Sequence, residues 1–224
     1  MTDTDWDRFF SILETWRIQV LSEETDDASV TAIARTSGRD PWAVLVSTIL
    51  SLRTKDAVTM ATSARLLEKA PTPQAILGLD EEETARLAYP SGFYRTKAKN
   101  LRSIATILLE RYAGKVPADQ KALLALPGVG LKSANLILSE AFDLDAICVD
   151  IHVHRIANRR GWLRTDSPDA SEAILRKILP RVYWKRINNL LVMYGQRICT
   201  PVSPRCSICV LQEGCARVGV EKSR

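Results

Sequence analysis

Leu126-Pro127-Gly128-Val129-Gly130-Leu131-Lys132 constrains this chain more than any other stretch. Leu123, Leu124 and Leu126 end one helical apolar run, and a second, Leu131 to Ala141, starts at once. Between them Pro127, Gly128 and Gly130 supply backbone angles that other residues resist. The chain must therefore fold as two helices joined by a tight glycine hairpin. The glycines also clear side chains from the turn. The second helix brings unpaired N–H groups and the positive end of its dipole to the same place. Such a turn suits an anion, and a DNA phosphate is the anion expected. Taken alone, the stretch reads equally well as an ordinary helix hairpin.

Charge points the same way. The 224-residue chain is 46% apolar and 25% charged, with a net charge of +5, which describes a soluble globular protein with one good core or two small ones. The charge is unevenly spread. Residues 1–27 hold the acids Asp3, Asp5, Asp7, Glu14, Glu23, Glu24, Asp26 and Asp27 against only Arg8 and Arg17. Residues 28–224 hold 29 Lys/Arg against 18 Asp/Glu, an excess that suits a polyanionic partner. The acidic N-terminus has no apolar segment for secretion and no basic leader. No apolar run approaches the roughly 18 residues that span a bilayer. A cytoplasmic, nucleoid-associated protein with no membrane contact is expected.

Along the chain, helix follows helix. Trp6, Phe9, Phe10, Leu13, Trp16, Ile18 and Val20 form an N-terminal stripe. Asp40-Pro41 is an N-cap and first helical residue, opening a nearly all-apolar helix from Trp42 to Leu52. Arg53-Thr54-Lys55-Asp56 interrupts, and Asp56 is positioned to cap a helix from Ala57 to Lys69. Short helices are expected at Gln74–Leu77 and, behind the Asp80/Glu83 capping box, at Glu81–Ala88. A long one runs from Tyr94 to Ala113 and stops at Gly114. Beyond the hairpin lie a basic helix from His152 to Arg160, one opened by Ser167-Pro168, and a last one from Tyr183 to Ile198. No window alternates with period two, so the fold class is all-α.

Four of the five cysteines, Cys199, Cys206, Cys209 and Cys215, fall within 17 residues, spaced C-x6-C-x2-C-x5-C. Disulfides fit poorly with so short a loop in a cytosolic chain. Metal binding fits better, and both a zinc site and an iron–sulfur cluster are chemically possible. Only one pair stands at knuckle spacing, which favours the cubane [4Fe–4S] cluster. The loop Thr200-Pro201-Val202-Ser203-Pro204-Arg205 is stiffened by two prolines, and Arg205 is placed to meet a phosphate. Cys148 reads as a small buried apolar residue.

Hairpin, Lys132 with Asp150, and cysteine spacing together resemble the endonuclease III family of DNA base-excision glycosylases, from about Ala28 to Cys215. The resemblance implies a six-helix barrel with the helix–hairpin–helix over residues 34–144. It also implies a cluster module from residues 1–33 and 145–224, the two flanking a DNA groove. It places the catalytic lysine at Lys132, in Leu-Pro-Gly-Val-Gly-Leu-Lys-Ser-Ala-Asn, and the catalytic aspartate at Asp150, in Cys-Val-Asp-Ile-His-Val-His-Arg. It makes the four cysteines ligands of a [4Fe–4S] cluster, and Gly128, Val129 and Gly130 the phosphate grip. DNA contacts are also expected from Arg53, Phe93, His152, Arg155 and Arg205. The partner implied is double-stranded DNA carrying a damaged pyrimidine or an abasic site, bound by a monomer.

Three positions depart from the bacterial type. Arg53 stands where many members have Gln, at a position that fills the gap left by a flipped base. Phe93 stands where the bacterial type has a Leu wedge and the eukaryotic type a Phe. Ile151 replaces a common Thr.

The chemistry agrees from below. A base inside a duplex must be flipped out before it is cleaved. A carboxylate such as Asp150 stabilises the positive charge that then develops on the sugar. A lysine attacking C1′ forms a Schiff base and must be uncharged; burial and the positive start of the second hairpin helix both favour that form. The expected activity is removal of oxidised pyrimidines of the thymine-glycol type, followed by β-elimination at the abasic site. The alternatives are a monofunctional mismatch glycosylase of the same superfamily, which lacks the lysine, and a non-catalytic iron–sulfur DNA-binding protein.

Overall fold

The computed structural model describes residues 2–23 and 27–224. Among them are twelve α-helices, two short 3-10 turns and no strand. None of the helices is long and apolar enough to cross a membrane. The chain divides into two compact units, one formed by residues 1–27 and 145–224 and the other by 28–144.

The continuous unit holds α2 (Ser29–Thr36), α3 (Pro41–Ser51), α4 (Asp56–Lys69), α5 (Pro73–Gly78), α6 (Glu81–Ala88), α7 (Tyr94–Tyr112), α8 (Gln120–Leu124) and α9 (Leu131–Phe142). It is built round α3. Every residue from Trp42 to Leu50 is buried, as its nearly all-apolar sequence, broken only by Ser47 and Thr48, leads one to expect. α2, α4, α7 and α9 pack against it. Local chemistry punctuates the helices. Asp40 accepts from Ala43 N–H at 2.9 Å, Asp80 from Glu83 N–H at 2.6 Å and Asp119 from Ala122 N–H at 2.8 Å. Asp56 departs from expectation. It is the first residue of α4, and its carboxylate accepts from the N–H of Ser29 at 3.1 Å and the Ser29 hydroxyl at 2.6 Å. Its carboxylate thus serves the start of α2, and the N-cap position of α4 falls to Lys55.

The discontinuous unit holds α1 (Asp3–Glu23), α10 (Ile151–Arg160), α11 (Pro168–Ile178) and α12 (Trp184–Arg197). α12 is its centre, buried without a break from Ile187 to Gly195. Trp6, Phe9, Phe10, Leu13 and Trp16 of α1 fill the same core. Phe10 stacks on Tyr183 at 3.9 Å, and Trp16 meets Tyr194 edge-on at 4.7 Å. Ile18 departs from the N-terminal stripe and is 67% exposed, since at 100° per residue it lies opposite Trp16, while Val20, one turn on from Trp16, packs against the core. Asp27 closes this unit, buried and accepting from Arg17 Nη2 at 2.7 Å and Asn189 Nδ2 at 3.3 Å.

Candidate functional site

Both flanks of the hairpin are fixed. The Gln120 amide of α8 donates to Asn135 of α9 at 2.5 Å, and Asn135 is buried. Gly128 sits at φ +80°, which strains any other residue, and a Cβ there would also push on the Asn100 amide of α7 at 2.5 Å. Gly130 does not need its freedom for the turn: at φ −94°, ψ −179° it is extended backbone. It is instead the N-cap residue of α9, and with no side chain it leaves that helix start without a side-chain cap. Val129 N–H closes the turn onto Leu126 O at 3.1 Å, and its buried side chain packs the hairpin. Lys132 lies half-buried in the first turn of α9.

The same unit brings Arg53 and Phe93 together. The Arg53 guanidinium carbon stands 5.4 Å from the Phe93 ring centroid, and the ring is 64% exposed. Both residues are left-handed, at φ +52° and +57°. That conformation costs a non-glycine residue on the order of 1 kcal/mol, and such costs collect where a site needs a set geometry. Behind them lies Lys97 of α7, which sequence reading passed over as one polar residue of an amphipathic helix. It is only 4% exposed, and burial lowers its pKa to about 8. Its ammonium donates to Leu50 O at 2.7 Å and Thr54 Oγ1 at 2.8 Å.

In the discontinuous unit, Asp150 is the N-cap of α10. Its Oδ1 accepts from the N–H groups of His152 at 2.8 Å and Val153 at 3.0 Å. The expected DNA contacts on α10 are largely occupied elsewhere. Arg155 donates to Gly195 O at 3.0 Å and to Cys199 O at 2.9 and 3.1 Å. It also donates to His152 Nδ1 at 3.1 Å. Arg155 therefore props the cysteine loop. Arg159 reaches Thr200 O at 2.7 Å and Pro201 O at 2.6 Å, and Arg160 reaches Leu211 O at 2.5 Å. His154 is held by the Ser171 hydroxyl at 2.6 Å.

These props carry the cysteines. Cys199 follows α12, and i to i+3 turns link Cys206 to Cys209, Cys209 to Gln212 and Gln212 to Cys215. None of the five cysteines is disulfide-bonded; these four are half-buried and Cys148 is buried. Two further groups aim at sulfur. The Tyr194 hydroxyl donates to Cys209 Sγ at 3.1 Å, and Arg159 Nη1 stands 3.4 Å from Cys199 Sγ. Burial, with the Cys209 contact, pushes the Tyr194 phenol well above its ordinary range and keeps it a donor. Among the described residues no three Cys, His, Asp or Glu side chains converge as ligands of one ion would. A cubane cluster binds each thiolate through a different iron and needs them spread apart, so four soft donors with N–H and O–H groups directed at them fit the cluster better than one zinc. Arg205 is exposed at the edge of this loop.

The family model described as the HhH-GPD superfamily base excision DNA repair protein matches residues 46–181, and that of the iron–sulfur binding domain of endonuclease III matches residues 199–215. Endonuclease III of Thermotoga maritima is 45% identical over 79% of this chain and 83% of its own length. Endonuclease III-like protein 1 of Mus musculus is 42% identical over 88% of this chain, which spans 65% of that longer protein. Among solved structures, a non-covalent endonuclease III–DNA complex superposes with a TM-score of 0.80 at 32% identity, covering 97% of both chains. A trapped endonuclease III–DNA covalent intermediate superposes at 0.76 and 33% identity, over 84% of this chain and 93% of that one. The chain belongs to the HhH-GPD superfamily of base excision DNA repair proteins and, within it, to the endonuclease III family of DNA glycosylase/AP lyases that carry a [4Fe–4S] cluster.

Proposed function

We propose that this enzyme removes oxidised pyrimidines of the thymine-glycol type from duplex DNA through a Schiff base on Lys132 and then nicks the abasic site. The observation that carries this is the placement of Lys132. It stands in the first turn of α9, directly after a glycine turn that leaves the helix start without a side-chain cap. A backbone phosphate held on the α9 N-terminus brings the neighbouring sugar within reach of that lysine.

The neutral Lys132 amine attacks C1′, and the base leaves with the bonding electron pair and takes up a proton. Asp150 supplies the negative charge that stabilises the sugar as the glycosidic bond breaks. Ring opening gives an imine between Lys132 and C1′. Loss of a C2′ proton then expels the 3′ phosphate, and water releases the lysine. Arg53 and Phe93 enter the gap that the flipped nucleotide leaves. Cys199, Cys206, Cys209 and Cys215 hold the cluster, whose part is to fix the loop that presents Arg205 to the DNA backbone. The protein acts as a monomer, cytoplasmic and associated with the nucleoid.

Incubation with a thymine-glycol duplex and borohydride tests the reading. A covalent protein–DNA adduct is expected from the wild type and none from Lys132→Ala. Base release without any trapped adduct would establish a monofunctional enzyme and sink the Schiff-base route.

A further inference from the structure

We propose that Thr54 and Lys97 are positioning residues, a hydrogen-bonded clasp that holds Arg53 and Phe93 together as one rigid insert and so sets how the base opposite the lesion is read. The proposal rests on the reading of Arg53 and Phe93 as the side chains that enter the duplex.

Three segments meet at one hydroxyl. Thr54 Oγ1 donates to Leu52 O at 3.2 Å, just past α3. It accepts from Gly92 N–H at 3.1 Å, in the loop before Phe93, and from Lys97 Nζ at 2.8 Å. One donor and two acceptors exhaust what a threonine hydroxyl offers. Lys97 also donates to Leu50 O, near the C-terminal end of α3, where a cation satisfies a carbonyl and suits the helix dipole. The loop backbones touch as well: a Cβ on Gly92 would lie 2.6 Å from Arg53 O.

The node sits directly behind two left-handed non-glycine residues. Such conformations persist only where surrounding bonds over-determine them. A buried ammonium is a costly way to fill space, which an apolar side chain does better. Burial depresses the Lys97 pKa to about 8, the mark of that cost. What an apolar residue cannot do is join Leu50 to Thr54, and through Thr54 to Gly92. Arg53 and Phe93 thereby move as one body.

The test compares Thr54→Val, Thr54→Ser and Lys97→Met in the full cluster-loaded chain. Substrates are thymine-glycol duplexes with adenine or guanine opposite, and a single-stranded abasic oligonucleotide that has no opposite base. Loss of the clasp is expected to raise the duplex KM about tenfold, the equivalent of one charged hydrogen bond. It is also expected to narrow the adenine/guanine ratio, to spare kcat on the single strand and to speed hydrogen exchange at the Gly92 amide. Thr54→Ser, which keeps the hydroxyl, is expected to behave as wild type. If Arg53→Ala and Phe93→Ala impair duplex cleavage while Thr54→Val matches Thr54→Ser in KM and ratio, the clasp is overturned and the insert stands. If Arg53→Ala and Phe93→Ala are themselves silent on the duplex, the insert reading fails and takes the clasp with it. The Gly92 exchange rate and the cluster absorption separate loosened loops from a chain that has not folded.

Discussion

Both cap bonds of α10 end on Asp150 Oδ1, so the residue that supplies catalytic charge in the proposed reaction also holds a helix start. Substitution separates the two effects. Asp150→Asn keeps a competent cap and loses the charge; Asp150→Ala loses both. Base-release rates are expected to fall on the order of a hundredfold in each, the scale of one lost electrostatic contact. Only the alanine variant is expected to lose stability, by about 1 kcal/mol in urea denaturation. Equal stability losses in the two variants would mean that the charge, not the cap, holds α10. Lys97 allows a second separation. Its folded pKa of about 8 lies below the ordinary 10.5, so between those values the unfolded chain holds a proton that the folded chain has released. Its burial penalty is thus fully present below pH 8, and stability rises with pH across the window, by about 3 kcal/mol for one such group. Lys97→Met is expected to flatten this rise. Parallel urea midpoints for wild type and variant at pH 8 and pH 10 would refute it.

At the scale of elements, α10 shows what sequence carries and what it hides. Its start and stop were legible, because Asp150 and the left-handed Gly161 act on their own backbone. So were Asp40, Asp80 and Ser167, each capping the helix that follows it. The cysteine spacing and the glycine turn were legible for the same reason. Arg155, Arg159 and Arg160 were not. A basic helix facing phosphate and one facing carbonyls have the same letters, and these arginines meet acceptors some 40 or more positions away. Asp56, Lys97 and Thr54 were hidden likewise, since their partners are set by the fold. So was Tyr194, whose hydroxyl meets Cys209 from within a buried helix. Phe at that position keeps the ring and its edge-on contact with Trp16 and removes only the donor. With one less hydrogen bond to thiolate, the more negative reduced cluster is less stabilised. Tyr194→Phe is expected to move the cluster potential to more negative values with its visible spectrum intact. An unchanged potential in a spectroelectrochemical titration would show that this bond does not reach the iron.

At the scale of the whole molecule, the cluster and the helices are held by different means. All twelve α-helices end by Arg197, and residues 198–224 contain only one 3-10 turn. The core of the discontinuous unit is closed by Trp6, Phe10, Trp16, Tyr183, Tyr194 and their aliphatic neighbours, with Cys199 and Cys209 packed only at its margin. The tail is tied by arginine bonds to carbonyls and by the terminal Arg224, whose N–H reaches Pro204 O at 2.8 Å. Short turns and arginine bonds are the tail's own ties, with no apolar core beneath them, so the tail is expected to depend on the cluster more than the helices do. Cys206→Ser/Cys209→Ser is therefore expected to keep nearly all of its far-UV helical signal and to become sensitive to proteolysis beyond Ile198. Because Arg205 then loses its place, duplex affinity is expected to fall, and the slope of log affinity against log salt to shrink by about one phosphate contact. Collapse of the helical signal would show instead that the cluster nucleates the unit, and an unchanged salt slope would remove Arg205 from the DNA surface.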